Sequence, residues 1–277
     1  MSILEVTGLT VTRPDGVRLV DEVTFDVDRA EVVGIVGESG SGKTMTGMAL
    51  LGLVPEPLAV GGSIRLNGRE LVTQSQRQWQ QTRGREIAMV LQDPSSALHP
   101  MLKLGEQLTD HLRSHLGMRP KAARARALEL LEQVHLPDGE DILRRFPHQL
   151  SGGMKQRVAI AIALACEPSV LVADEVTTAL DANIRVGILR LLDELRRTTG
   201  MGIMFITHDL AMLSSFADRV SVFRRGEIVE QAAANELFAD PQHPYTHELL
   251  DAVPSIPWKM VDLEPVGSPG EGTLDDD

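Results

Sequence analysis

Short runs of apolar and β-branched residues dominate the first 36 positions and predict β-strands. The runs cover residues 3–11, 19–27 and 32–36, and Pro14-Asp15-Gly16 provides a turn between the first two. The third run leads directly into a glycine-rich loop, after which residues 45–51 have the pattern of a helix. The N-terminal part therefore predicts a β-rich region that ends in a strand, a loop and a helix.

Three later runs are apolar without alternation, which is typical of strands buried on both faces of a parallel sheet. They are residues 87–91, 170–173 and 203–207. Residues 63–66, followed by Asn67-Gly68, predict a further strand and turn. Arg225-Gly226 lies between the short runs 220–223 and 227–229, and this spacing predicts a hairpin.

Strand signals stop between residues 94 and 150, where Ala, Arg, Leu and Glu recur at helical spacing. Residues 121–134, directly after Pro120, predict one helix of this region, and we expect a helical subdomain inserted at about 94–150. Residues 155–165 and 184–197 predict two further amphipathic helices.

The length of 277 residues suits one large domain with an ample core. We expect one α/β domain over residues 1–253 and a flexible acidic tail over residues 254–277. The tail segment contains several Pro and Gly residues and ends in Asp-Asp-Asp.

The balance of charge narrows the classes of partner. A net charge of −12 and an aromatic content of 3% argue against a basic or base-stacking surface for nucleic acid. Cys166 is the single cysteine, so it indicates a small buried residue in a reducing compartment and leaves no ligand set for zinc or an iron–sulfur cluster. No segment has the pattern of a signal peptide or membrane span, and we expect a cytosolic protein that reaches a membrane only through a partner.

The glycine-rich loop fits the spacing G-x-x-x-x-G-K-[ST], in which backbone N–H groups surround phosphate oxygens. Its residues are Gly37, Glu38, Ser39, Gly40, Ser41, Gly42, Lys43 and Thr44. Lys43 is expected to reach the outer phosphates of ATP, and the Thr44 hydroxyl is expected to bind Mg²⁺. The predicted strand before the loop and helix after it are the context that this motif requires.

Polar residues follow two of the predicted parallel strands at their carboxyl ends, where ligands of such sheets gather. Asp174 ends one strand and is expected to hold hydrated Mg²⁺, while Glu175 can orient or deprotonate a water at the γ-phosphate. His208 ends the next strand and can hydrogen-bond that phosphate. Each residue alone would be an ordinary polar strand end, but their order with the loop predicts one site.

Residues 150–156, Leu-Ser-Gly-Gly-Met-Lys-Gln, together with the loop resemble the ATP-binding cassette (ABC) ATPases, and the resemblance covers about residues 3–250. It implies a P-loop α/β fold with a parallel-sheet core, an N-terminal antiparallel β subdomain and an inserted helical subdomain. It also implies a remote phosphate site that caps ATP held by a second cassette, so that hydrolysis requires a dimer. The residues of that site are Ser151, Gly152, Gly153 and Gln156.

The same resemblance implies roles at further positions. Gln92 would contact Mg²⁺ and the attacking water, and Asp181 would belong to the nucleotide site. Arg13 stands where many relatives stack an aromatic ring on adenine, and its guanidinium can stack there or lie in solvent. Val176 replaces the usual proline after Glu175, which frees φ, so we expect Glu175 to be held less rigidly.

A narrower resemblance, to the oligopeptide/dipeptide/nickel importer branch, is carried by residues 83–100, 146–157 and 241–246. Residues 37–53 resemble the first of that branch's two paired ATPases. The implied function is the ATP-hydrolysing, energy-coupling subunit of an importer for peptides or a similar small solute, with nickel or a metal chelate as alternative solutes. Residues 94–101 are a candidate contact for the membrane subunits.

The importer resemblance also implies partners and a location. The partners are a second ABC ATPase (a paralogue or a second copy), two transmembrane permease subunits and an extracytoplasmic solute-binding protein, without nucleic acid. The location is the cytoplasmic face of a bacterial plasma membrane, with the protein peripheral through the permease subunits.

Two other classes of protein share part of this pattern. A soluble ABC ATPase acting on nucleic acid or the ribosome usually carries a long coiled-coil or zinc insert, or a second cassette, and the sequence has neither. A P-loop kinase that phosphorylates a small molecule would leave Ser151-Gly152-Gly153 and His208 without a role.

Overall fold

The computed structural model describes residues 2–178 and 180–252, and the predicted tail over 254–277 lies outside them. The strands are β1 (Ser2–Thr12), β2 (Arg18–Asp28), β3 (Val32–Gly37), β4 (Ala59–Leu66), β5 (Arg69–Glu70), β6 (Ile87–Val90), β7 (Val170–Asp174), β8 (Gly202–Ile206), β9 (Arg219–Arg224) and β10 (Glu227–Ala233). The helices are α1 (Lys43–Leu50), α2 (Gln76–Thr82), α3 (Pro94–Ala97), α4 (Leu104–Leu116), α5 (Pro120–Gln133), α6 (Gly139–Arg144), α7 (Gly152–Leu164), α8 (Ala182–Thr199), α9 (Leu210–Phe216), α10 (Ala234–Ala239) and α11 (Pro244–Asp251).

Two sheets form the body of the protein. The first is antiparallel and has the strand order β2-β1-β4-β5. The second has the order β10-β9-β3-β8-β7-β6, in which β9 to β6 run parallel and β10 pairs antiparallel with β9. The predicted N-terminal antiparallel region, parallel core and hairpin are therefore confirmed.

The parallel strands are buried on both faces, as their unbroken apolar sequence predicts. In β8, Ile203 and Phe205 pack into a core shared with the helices, whereas Met204 and Ile206 pack into a core shared with the antiparallel sheet. All four side chains are fully buried, and burial of each contributes about 1.5–3 kcal/mol. The central sheet thus separates two apolar layers.

Helices α3 to α6 follow one another between residues 94 and 144, and no strand interrupts them. Helices α4, α5 and α6 contact one another, and α7 packs against α3, α4, α5 and β6. Because α7 lies between this group and the sheet, it is buried on most sides, and the prediction of an amphipathic helix over residues 155–165 is wrong in that respect. By contrast, α8 has the predicted amphipathic pattern.

The order of the parallel strands brings their carboxyl ends together. Ile35 of β3 lies beside Ile206 of β8, and Ile206 lies beside Asp174 of β7. The loop after β3 and the polar residues after β7 and β8 therefore share one edge of the sheet.

Two predictions from composition concern the described residues. Cys166 is buried, and burial raises the pKa of its thiol, as expected for an inert core cysteine. None of the helices within residues 2–178 and 180–252 combines the length and the hydropathy that crossing a membrane would require.

Candidate nucleotide-binding site

The glycine-rich loop connects β3 to α1 at the carboxyl edge of the parallel sheet. Its backbone excludes side chains at two glycines. Gly37 has φ +152°, and a Cβ there would lie 2.1 Å from the Phe223 carbonyl oxygen. Gly42 has φ +105°, and a Cβ there would lie 2.8 Å from the Leu19 carbonyl oxygen. These close approaches explain why the loop needs glycine at both ends.

Lys43 is 5% exposed, and its ammonium group lies against the backbone of the loop. Its Nζ donates hydrogen bonds to the carbonyl oxygens of Gly37 (2.8 Å) and Glu38 (2.7 Å) and to Ser41 Oγ (3.4 Å). Burial lowers the pKa of Lys43, and nearby carboxylates, Glu175 first, oppose that shift. An ammonium group in a partly dehydrated loop is well placed to exchange carbonyl acceptors for phosphate oxygens.

Thr44 and Asp174 lie side by side below the loop. The Thr44 hydroxyl donates a hydrogen bond to Asp174 Oδ1 at 3.3 Å. Asp174 is 5% exposed, and burial raises the pKa of its carboxyl, against the effects of Thr44 and Lys43. Within the described ranges, 2–178 and 180–252, no three His, Cys, Asp or Glu side chains form a metal-binding group. One hydroxyl and one carboxylate fit Mg²⁺, which takes few protein oxygens and completes its shell with water and phosphate.

Glu175 follows directly after β7 with φ +50°, a left-handed conformation that is uncommon for residues other than glycine. Its backbone N–H donates to the Ile206 carbonyl oxygen at 2.9 Å, which fixes this turn to β8. Its Oε2 accepts from the Thr178 hydroxyl at 3.3 Å, and its Oε1 lies 3.4 Å from His208 Nδ1. Glu175, which follows β7, and His208, which follows β8, are thus brought into contact.

A cleft of about 450 Å³ opens in front of these groups. It is lined by predicted residues of the loop and by Glu175, and also by residues that sequence reasoning missed. The missed residues are Arg18, Leu19, Met45, Met48, Arg225 and Gly226. The hairpin turn enters the site because the Gly226 N–H donates to the Ser41 carbonyl oxygen at 2.9 Å. The sequence predicted this turn, but it carries no signal that the turn lies beside a loop 185 positions earlier.

The signature residues lie elsewhere. Ser151 is the N-cap of α7, and its Oγ accepts a hydrogen bond from the Met154 N–H at 3.4 Å. Ser151 and Gly152 are exposed, and neither lines the cleft in front of Lys43. Gly153 is buried against Ile184, and a Cβ on Gly153 would lie 2.8 Å from Ile184 Cγ2. The chain therefore presents two separate candidate half-sites.

The remaining predicted residues have different surroundings. Gln156 is completely buried, and its amide atoms have no hydrogen-bond partner within the part of the chain that the structure describes. Gln92 is exposed just after β6, and Asp181 is the exposed N-cap of α8. Arg13 is half exposed and pairs with Asp15 at 2.9 Å. The structure does not bring these four into the cleft, and their roles stay predictions.

Two family models match the chain. The model described as ABC transporter matches residues 20–178. The model described as oligopeptide/dipeptide transporter, C-terminal region, matches residues 229–271.

Curated proteins of two bacteria are similar over most of their length. The oligopeptide transport ATP-binding protein OppD of Bacillus subtilis (strain 168) is 44% identical over 259 residues, which cover 92% of this chain and 72% of OppD. The dipeptide transport ATP-binding protein DppD of Lactococcus lactis subsp. cremoris (strain MG1363) is 44% identical over 264 residues, which cover 92% of this chain and 74% of DppD.

Solved structures show the same fold. CbiO1 from Clostridium perfringens, part of the ABC transporter complex cbiONQ, has a TM-score of 0.75 at 27% identity over 86% of this chain and 91% of its own. The ATP-binding cassette MJ0796, in a dimeric post-hydrolysis state bound to ADP and phosphate, has a TM-score of 0.72 at 28% identity over 83% of this chain and 98% of its own.

Proposed function

Because the chain belongs to the ABC transporter ATP-binding proteins of the oligopeptide/dipeptide family, we propose that it hydrolyses ATP to drive import of oligopeptides or dipeptides. One observation carries the assignment of the chemistry. Lys43, Asp174 and Glu175, which come from distant parts of the sequence, converge at the carboxyl edge of one parallel sheet.

The loop and its lysine bind the triphosphate in this proposal. Backbone N–H groups of residues 39–44 surround the phosphates, and Lys43 exchanges its bonds to Gly37 and Glu38 for phosphate oxygens. Thr44 and Asp174 would hold Mg²⁺, which would supply charge neutralisation to the bound triphosphate. Because Asp174 is buried, it can bind the cation without competition from bulk water at its own oxygens.

Glu175 is the proposed general base. Its carboxylate lies at the cleft wall, where it can accept a proton from a water at the γ-phosphate. His208, 3.4 Å from Glu175, orients that carboxylate and can donate to the phosphate. Gln92 would complete the arrangement from the end of β6, which lies next to β7. Positioning and charge neutralisation supply most of the rate, since phosphoryl transfer needs little covalent help.

The second half-site is proposed to act on the nucleotide of another subunit. Helix α7 has thirteen residues, and its N-terminus presents free backbone N–H groups and a partial positive charge to an anion. Ser151, Gly152 and Gly153 would contact the partner's γ-phosphate there, with Asp181 at the same interface and Gln156 buried behind it. The dimeric state of MJ0796 supports a paired arrangement, and the partner is a paralogue or a second copy.

The proposed membrane contact is the surface beside Gln92. Leu91, next to Gln92, is 36% exposed, and Met101 and Leu102, at the end of the segment 94–101, are 77% and 40% exposed. Exposed large apolar side chains at both places support an interaction surface here. Two permease subunits would dock there, next to residues 94–101, on the cytoplasmic face of the membrane, and a solute-binding protein would deliver the peptide from outside.

Two further predictions belong to this proposal. The ATPase domain would span residues 1–253 with the helical subdomain at about 94–150. Arg13 would contact the adenine only after exchanging its partner Asp15 for the base.

Lys43→Ala tests the proposal, with Lys121→Ala, an exposed lysine of α5, as the matched control. We expect Lys43→Ala to abolish binding of Mg-ATP and release of phosphate, and Lys121→Ala to leave both unchanged. Phosphate release by the unaltered protein without an added acceptor would exclude a small-molecule kinase. Retained ATP binding in Lys43→Ala would refute the assignment of the cleft.

A further inference from the structure

The side chain of Tyr245 contacts the backbone of the glycine-rich loop. The backbone N–H of Glu38 donates a hydrogen bond to the Tyr245 hydroxyl at 3.2 Å, across 207 positions of sequence. Tyr245 is 2% exposed and lies in helix α11, within residues 241–246 that carry the importer resemblance. This segment contains none of the proposed catalytic residues.

The structure fixes Tyr245 by bonds on its N-terminal side. Pro244 begins α11, and His243 Nδ1 accepts a hydrogen bond from the Tyr245 N–H at 3.1 Å as the helix N-cap. The carboxylate of Glu230, on β10, accepts from the backbone N–H groups of Gln242 (2.7 Å) and His243 (3.0 Å). Burial alone would raise the pKa of Glu230, but these bonds hold it below its usual range. The start of α11 is therefore attached to the main sheet.

The ring of Tyr245 has a charged partner as well. The guanidinium carbon of Arg224 lies 4.5 Å from the ring centroid, a cation–π contact. The next two residues, Arg225 and Gly226, line the nucleotide cleft. Tyr245 thus packs against the strand end that leads into the cleft.

The loop therefore forms two backbone hydrogen bonds to segments outside it. The Ser41 carbonyl oxygen accepts from Gly226, and the Glu38 N–H donates to Tyr245. Both supports come from residues 226–245, which follow the parallel strands in sequence.

We propose that Tyr245 is a positioning residue for ATP binding, whose hydroxyl holds the glycine-rich loop in the conformation that receives the phosphates. The inference rests on the proposed function of residues 37–44 as the phosphate site. A loop that is already ordered loses less freedom when the nucleotide binds, so affinity rises without any contact between Tyr245 and ATP.

Tyr245→Phe is the informative variant, because it removes the hydroxyl and keeps the ring that contacts Arg224. Loss of one neutral hydrogen bond predicts a rise of about 2- to 12-fold in the dissociation constants for Mg-ATP and Mg-ADP. Thr246→Val is the matched control. It removes the neighbouring fully buried hydroxyl, which interacts with Glu230 at the start of the same helix, and it leaves the Tyr245 hydroxyl and its bond to Glu38 in place.

Three measurements on the full-length chain decide the inference. Nucleotide affinity is measured by calorimetry, global stability by thermal unfolding, and local order by hydrogen exchange at the Glu38 amide. We expect Tyr245→Phe to weaken the binding of both nucleotides and to speed hydrogen exchange at the Glu38 amide. Thr246→Val should do neither, and the two variants should have similar melting temperatures. Unchanged affinity in Tyr245→Phe, or an equal loss in Thr246→Val, would overturn the role of the hydroxyl.

Lys43→Ala, measured in parallel, separates this result from the proposed function. If Lys43→Ala abolishes nucleotide binding and Tyr245→Phe binds as the unaltered protein does, the inference alone fails. If Lys43→Ala binds nucleotide normally, residues 37–44 are not the phosphate site and the inference fails together with the proposed function.

Discussion

Glu175→Gln is the substitution that tests the proposed chemistry most directly. Glutamine has the shape of glutamate, and its side-chain oxygen can still accept from the Thr178 hydroxyl. What disappears is the negative charge and the ability to take a proton from water. The variant should therefore fold and bind ATP but stall before hydrolysis.

The size of the effect follows from the neighbours of Glu175. At most one hydrogen bond is altered, so the free energy of unfolding should change by no more than about 1 kcal/mol. The Glu175 charge raises the pKa of Asp174 as a minor contribution after burial, so its removal favours ionised Asp174 and does not weaken a cation site. Loss of a positioned base lowers turnover about 10²–10⁴-fold, or about 3–5 kcal/mol in the activation barrier.

Phosphate release at saturating Mg-ATP is the assay, with ATP affinity measured on the same preparation. Glu194→Gln is the control, because Glu194 is an exposed carboxylate of α8 that pairs with His135 outside the cleft. We expect Glu194→Gln to match the unaltered protein in both measurements. Turnover at the unaltered rate in Glu175→Gln would remove Glu175 from the role of base.

Three other substitutions and one pH dependence have outcomes that the structure defines. In Gly152→Ala, the added Cβ would lie no closer than 3.8 Å to its nearest neighbour, so the melting temperature should be unchanged. Turnover should fall about 100-fold, because the methyl group would displace the phosphate of a partner's nucleotide. Normal turnover would contradict the proposed second half-site. Gly153→Ala should instead lower the stability by about 1–3 kcal/mol in denaturant titration, because its Cβ would lie 2.8 Å from Ile184; equal stability would contradict that contact. Val176 donates no backbone hydrogen bond among the described residues, so Val176→Pro should keep or raise ATPase activity, and a large loss would refute this. Burial lowers the pKa of His111 to about 4, below its unfolded value near 6.5. The contribution of His111 to the free energy of unfolding should therefore be complete above pH 6.5 and fall by up to about 3 kcal/mol as the pH drops to 4. An equal slope in His111→Gln, measured by unfolding at each pH, would exclude His111 as the cause.

Local pattern was sufficient to predict the central sheet. The unbroken apolar runs 87–91, 170–173 and 203–207 became β6, β7 and β8, because a strand covered on both faces has no polar side. The motif spacing of residues 37–44 likewise predicted the loop between β3 and α1. These predictions succeeded because each depends on neighbouring residues alone.

Contacts between distant segments were beyond that reasoning. The α7 segment has the helical spacing of an exposed helix, yet neighbours on several sides bury it, and only the tertiary packing reveals this. Similarly, residues 241–246 carry the importer resemblance, but the bond from Glu38 to Tyr245 depends on how β10 and α11 return to the loop. Single-sequence patterns contain no such distances.

The two proposed half-sites have separate supports within one chain, and this separation bears on how transport would be coupled. The glycine-rich loop is supported by the β9–β10 turn and by Tyr245, whereas Ser151 stands on α7, which packs against α3 and α4 beside the proposed membrane contact. In the proposed complex, a movement of the membrane subunits would displace Ser151 without disturbing the phosphate loop. The chain would then keep its own ATP bound while the cap over the partner's ATP opens. Motion of the membrane subunits would control hydrolysis in this arrangement and leave the intrinsic nucleotide affinity unchanged.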